Sequence, residues 1–331
     1  MGLQFNATPG KRWQTRGRNG LQGTWQEPWL LTRWVSYSGW PTGVSCYYNS
    51  ELSTDNVTPS TNATLTIYLR LWLEHRDARH LHEVRWVPQA DESLSDWNKG
   101  NPREFLAFRD RVKGDAEGFW NHRFCLINTC PGSPLDVERG NIIIRPNVEC
   151  RLKVIWAGSS KDAHQTVKCF RNNYRNTYGF RVPNFTQPDS HGNGVSQFSD
   201  DIVDPKFNGQ IENSFGHRLS LIQSGVAHEV GHMIGRQHVG VERHGHKCAQ
   251  PMADDLEAGL HGHGHGWNNP ACAEGDTAED TMNIMGLGNE VAQWNCLSWL
   301  TRMFYHTRIP PPTWIPFVGH IFPPPTILRK N

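Results

Sequence analysis

The sequence predicts a chain of the α+β or α/β class, and three observations lead there. Leu65, Ile67, Leu69, Leu71 and Leu73 alternate with Thr, Tyr, Arg and Trp, the period of a strand with one buried face. Asn101-Pro102-Arg103-Glu104 reads as a helix start, with Asn at the N-cap and Pro in the first turn. Further β-rich runs then lead into a stretch, His228 to His238, whose spacing is helical.

Taken in order, residues 1–60 read as a separate Trp/Gly-rich segment. Trp13, Trp25, Trp29, Trp34 and Trp40 show neither helical nor strand periodicity. The segment suits a delivery, docking or autoinhibitory role, or an extended arm whose indoles pack on the main body. The main domain, residues 61–305, opens with the Leu65–Leu73 strand. A helix follows from Asn101 to about Trp120, striped by Phe105, Phe108, Val112 and Phe119. Phe124–Ile127, Asn141–Ile144, Cys150–Trp156 and Gln165–Phe170 read as strands. Gly216 or Ser214 is the expected cap of a helix from His217 to Ile234, with Leu219, Leu221, Ile222, Val226, Val230 and Met233 on its buried side. A last helix is expected from Asn289 to Thr301, on Val291, Trp294, Leu297 and Leu300. Beyond it, residues 306–331 carry Pro310–Pro312 and Pro323–Pro325, which predict an end to regular structure and a polyproline tail.

Bulk properties narrow the functional classes. A net charge of +1 over 331 residues gives no electrostatic case for a nucleic-acid partner or an anionic membrane. No apolar run approaches the roughly 18 residues that span a bilayer. The polar start carries no leader-like apolar stretch, which points to a removed leader or a specialised export route and leaves the localisation open. Eight cysteines in this length are not disulfide-dense. Cys248–Cys272 is the first pairing to expect and Cys150–Cys169 the second, against eight reduced thiols. Asn6, Asn56, Asn62 and Asn184 each open a glycosylation sequon.

The chemistry concentrates in His228-Glu229-Val230-Gly231-His232-Met233-Ile234-Gly235-Arg236-Gln237-His238. At 3.6 residues per turn, His228 and His232 share one helix face and can bind one Zn²⁺, with Glu229 beside the metal. Gly235 allows the chain to turn out of the helix and return His238 as a third ligand. A fourth position then stays open for water, as in catalytic rather than structural zinc sites. Zinc at such a site lowers the pKa of water to about 7 and polarises a carbonyl, and Glu229 is placed to act as general base. The five fixed letters occur by chance on the order of 10⁻⁴ times in a chain of this make-up.

These residues resemble the extended zinc motif of the metzincin metalloproteases. That family carries a downstream Met-turn beneath the ligands, and Asn283-Ile284-Met285-Gly286-Leu287-Gly288 looks like it, with Met285 as its methionine. Met282 and Met252 are the alternatives. The resemblance implies a twisted mixed sheet over the active-site helix, α/β-like in an upper subdomain. It also implies an irregular lower subdomain holding the Met-turn and a C-terminal helix. Val239 after the third His, and Leu287 where many members place a Tyr, leave the subfamily unassigned.

The expected function is zinc-dependent hydrolysis of a polypeptide laid along a sheet edge. A toxin or effector delivered by a secretion apparatus or carrier engaging the termini fits the extensions. Hydrolysis of a non-peptide amide and a non-catalytic metal-binding module are the alternatives. A second metal at His261, His263 and His265, or a solvated loop there, is a further expectation.

Overall fold

Nine of the fourteen described strands assemble into one mixed sheet, curled into a half-barrel, with few helices packed on it, and the other five form a two-stranded hairpin and a three-stranded sheet. The computed structural model describes residues 24–33, 45–75, 102–170, 185–187, 195–212, 216–236, 238–244 and 275–330. No helix among them is long and apolar enough to cross a membrane.

The chain begins with β1 (Thr24–Arg33), β2 (Ser45–Ser53) and β3 (Ala63–His75), then α1 (Pro102–Trp120) and β4 (Phe124–Asn128). It continues through β5 (Val137–Arg139), β6 (Ile142–Arg145), β7 (Val148–Trp156), β8 (Gln165–Phe170), β9 (Phe185–Gln187) and β10 (Val195–Ser199). A hairpin of β11 (Lys206–Glu212) and β12 (Arg218–Gln223) precedes α2 (Gly225–Met233) and α3 (Val239–His244). The last elements are α4 (Ala278–Met282), α5 (Leu297–Thr307), β13 (Trp314–Val318) and β14 (Thr326–Arg329).

β3 is the central strand because one face is buried and both its edges are paired. Leu65, Ile67, Leu69 and Leu71 are all fully buried on one face. One edge pairs in parallel with β7 from Ala63 to Leu71. The other is divided, with antiparallel β2 along Thr64–Tyr68 and parallel β8 along Leu71–His75. The main path runs β13-β4-β7-β3-β8-β10-β9, so β7, β3, β8 and β10 are parallel and β9 closes the end antiparallel to β10. α1 covers this sheet with Phe108, Val112, Ala116 and Trp120. Trp120, Phe124 and Trp299 then stack beneath it, with ring centroids 5.7–6.3 Å apart.

Several expectations are corrected. Arg218–Gln223 is a strand, not the first half of a helix; its exposure alternates at period 2, leaving Leu221 buried and Ile222 half exposed. α2 starts at Gly225, and its cap is Ser224, whose side chain accepts from the Ala227 N–H. The last helix runs Leu297–Thr307 after a 3₁₀ turn at Gln293–Cys296, later than the stripe suggested. Regular structure also continues past Ile309. β13 pairs with β4, and β14 pairs with β6, while Pro323 and Pro324 carbonyls accept from the buried Asn62 and Asn147 amides. Pro316 is tolerated because β13 lies at the edge of the sheet. The sheet also begins before Ala63, since β2 and β1 belong to it.

A Cys150–Cys169 bridge is excluded. Cys150 lies opposite Leu65 and Cys169 opposite His75 on β3, about 30 Å apart at strand rise, and both are free thiols. Cys248, Cys272, Met252 and the His261/His263/His265 run lie outside the described residues.

Candidate metal centre

α2 is a short helix held at every side. Trp120 at the end of α1 donates its indole N–H to the Ala227 carbonyl at 3.0 Å. Ser298 at the start of α5 donates to the Ile234 carbonyl at 2.5 Å. At its C-terminus, Gly235 takes φ +95° and donates to the His232 carbonyl, while Arg236 N–H reaches back to the Gly231 carbonyl at 2.8 Å. That pair of bonds is a Schellman ending, which needs a left-handed residue at the position Gly235 holds. It turns the chain so that His238 faces back toward the helix.

His228, His232 and His238 thereby form a group that can hold a metal ion, the one such group among the described residues. The Nε2 atoms of His232 and His228 are 3.1 Å apart, and those of His228 and His238 are 3.2 Å apart. Two nitrogens bound to one tetrahedral zinc at about 2.0–2.1 Å sit about 3.3–3.4 Å from each other, so the spacing fits. The tautomers fit as well. His228 Nδ1 lies 2.7 Å from the Ile284 carbonyl and His232 Nδ1 lies 2.8 Å from the Arg236 carbonyl. A carbonyl oxygen only accepts, so each Nδ1 carries the proton and each Nε2 turns a lone pair inward. Converging lone pairs repel unless a cation lies between them.

Electrostatics keep these rings neutral. Burial pushes His228 down to about 3, helped by His238 and Lys206 and opposed by the Ile284 carbonyl. Burial lowers His238 to about 4. His232 is held well below the ordinary value by burial first and by the other two rings second. Neutral imidazole is the form that ligates.

Glu229 follows His228 on the same helix and is buried, at 7 % exposed. Met285 is fully buried in the turn 283–288, and a Cβ on Gly231 would strike its sulfur and approach Trp120 Cζ2 at 3.1 Å. The turn therefore packs directly on the helix face that carries Gly231. It is braced by Asn283 and Asn295, whose side-chain amides bond each other, and its Met285 carbonyl accepts from Val239 N–H beside His238. Met282 ends α4 and stands outside this contact. His217 is exposed ahead of β12.

Two supporting residues escaped the sequence reading. Gln223, at the end of β12, contacts both His228 and the Met285 turn, and Ser224 caps the helix. The signal for Ser224 was present, since Ser ahead of an apolar run marks a helix start. Gln223 had no pattern of its own. No family model, curated protein or solved structure matches this chain.

Proposed function

We propose that the chain is a zinc-dependent endopeptidase of the metzincin type, acting on a polypeptide substrate. The observation that carries the reading is the convergence of three neutral imidazoles through their Nε2 atoms, the two helical rings pinned through Nδ1, with a buried glutamate next in the chain. His228, His232 and His238 would hold the ion. Zinc there supplies a Lewis acid able to polarise a carbonyl and acidify water. Glu229 takes the proton of the attacking water as general base and returns it to the leaving amine nitrogen. Met285 serves as the packing floor under the ligands, set by its contact with Gly231.

The topology supports a polypeptide as substrate. Among the described residues β9 is the terminal strand of the sheet, antiparallel to β10, and it lies against α2. An edge strand offers unpaired N–H and C=O groups to which an extended peptide can add backbone to backbone. The four parallel strands, the antiparallel edge and the helix beneath it agree with a metzincin-like upper subdomain.

The test compares the wild-type chain with Glu229→Ala by elemental mass spectrometry for zinc and by proteomic mapping of cleavage products. Near-stoichiometric zinc in both, with cleavage reduced about 10²–10⁴-fold in the variant, is expected. Equal cleavage by the two chains refutes the assigned base. Turnover of acetylated sugars or small amides, with peptides left intact, moves the reading to an amidohydrolase.

A further inference from the structure

Gln223 presents a hydrogen-bonding puzzle with one solution. Its Nε2 lies 2.8 Å from the Gly286 carbonyl, 3.0 Å from the Ile284 carbonyl and 3.0 Å from His228 Nδ1. Three neighbours surround a nitrogen that has two protons. If His228 Nδ1 were bare, Gln223 would donate to it, and the lone pair on Nδ1 would face the Ile284 carbonyl oxygen at 2.7 Å without a proton between them. If Nδ1 is protonated, everything closes. Gln223 donates to both carbonyls, and His228 donates to the same Ile284 oxygen, which has two lone pairs to offer. Flipping the amide would set its oxygen against two carbonyl oxygens, and in the unflipped orientation that oxygen accepts from Asn208 at 3.3 Å.

We infer that Gln223 is a positioning residue of the metal centre: its carboxamide clamps the Ile284 and Gly286 carbonyls of the Met285 turn and thereby fixes the tautomer and ring plane of His228. The inference rests on the metal-centre reading above for its consequence, though not for its geometry. Gln223 ends β12 and is followed at once by the Ser224 cap, so the strand delivers the clamp to the base of the histidine-bearing helix. The hairpin's second attachment is different in kind. The Asn208 amide donates to the Leu287 carbonyl at 2.8 Å and to the Gln223 side-chain oxygen, so it reaches the turn and the clamp rather than a histidine ring. Replacing Asn208 loosens the hairpin's hold on the turn but leaves both Gln223 donors in place, so Asn208→Leu serves as the structural control.

Partners that orient a metal-bound histidine are worth about 10–100-fold in metal affinity. The experiment measures the zinc Kd by chelator competition for the wild-type chain, Gln223→Met and Asn208→Leu, with folding checked by circular dichroism. It also records the long-range ¹H–¹⁵N spectrum of the zinc-free wild-type protein, with the His228 signals identified by comparison with His228→Gln. Expected are an Nδ1–H ring at His228 in the wild type, 10–100-fold weaker zinc in Gln223→Met, and a change under threefold in Asn208→Leu. Equal loss in both variants would reduce Gln223 to hairpin anchoring, and unchanged affinity in Gln223→Met would remove its role. An Nε2–H ring in the wild type overturns the inference even if Gln223→Met does not fold. A wild type that binds no zinc defeats the proposed function, while the tautomer measurement still decides the geometry.

Discussion

Gly231 shows how tightly the centre is drawn at the scale of one residue. It is the second variable letter of the histidine motif, so motif reading assigns it nothing, yet a single carbon there would collide with the Met285 sulfur. Gly→Ala inside a helix ordinarily gains about 1 kcal/mol, whereas overpacking a filled core costs about 1–3 kcal/mol. The second effect wins because Met285 is fully buried and Trp120 closes the other side. Gly231→Ala is expected to lose about 1 kcal/mol by denaturant unfolding. Combining it with Met285→Ala should recover part of that loss, and strict additivity would show that the two residues are not in contact. The three histidines that converge were legible in the sequence, because 3.6 residues per turn puts His228 and His232 on one face and Gly235 allows the chain to return His238. Gln223 was not legible, because its partners are backbone carbonyls about 60 positions away, and a carbonyl leaves no trace in residue type.

At the scale of elements, legibility followed length and alternation. β3, β7 and β8 alternate cleanly and were readable nearly to the residue. Leu219, Leu221 and Ile222 suit a helix and a strand equally over so short a run, and the hairpin partner β11 decides in favour of the strand. α2 has too few residues to show its own period, so its start rests on the Ser224 cap. The same scale holds a testable joint between strands. His164 leads into β8 and is buried, and Arg70 on β3 donates its backbone N–H to His164 Nδ1 at 2.9 Å. That bond requires an unprotonated nitrogen. Burial first, then Arg70 and Arg302, lower His164 from 6.5 to about 3. The unfolded chain therefore binds the proton that the folded chain refuses. Stability from this site is fully present above pH 6.5 and declines as the pH falls toward 3. Between pH 7 and 4.5 the wild type should lose about 2–3 kcal/mol more than His164→Gln, by chemical denaturation at each pH. Parallel curves would dismiss the joint.

For the whole molecule, the proline-rich end is built into the sheets, β13 into the half-barrel and β14 into the three-stranded sheet with β6 and β5. β13 covers the outer edge of β4, and the carbonyls of Pro323 and Pro324 receive two buried asparagine amides. Composition pointed to a tail because prolines cannot sit in a sheet interior, but an edge strand and a docked proline run both accept them. Deleting residues 310–331 is expected to orphan those amides, at about 1–3 kcal/mol each, and to bare the β4 edge. A lower melting temperature together with concentration-dependent aggregation by light scattering is the expected result. An equally stable, monodisperse product would show that the strands add nothing.

The two oxygens that orient His228 and His232 belong to the main chain, at Ile284 and Arg236. Two consequences follow. No point substitution can delete them, so imidazole orientation in this centre is inherited from the path of the backbone, and variants that disturb it will be found among glycines, turn residues and side chains such as Gln223 that clamp the turn. Both oxygens are also uncharged, unlike a carboxylate in the same place, so a divalent ion among the three rings keeps more of its positive field. Anionic chelators such as hydroxamates should find that field attractive.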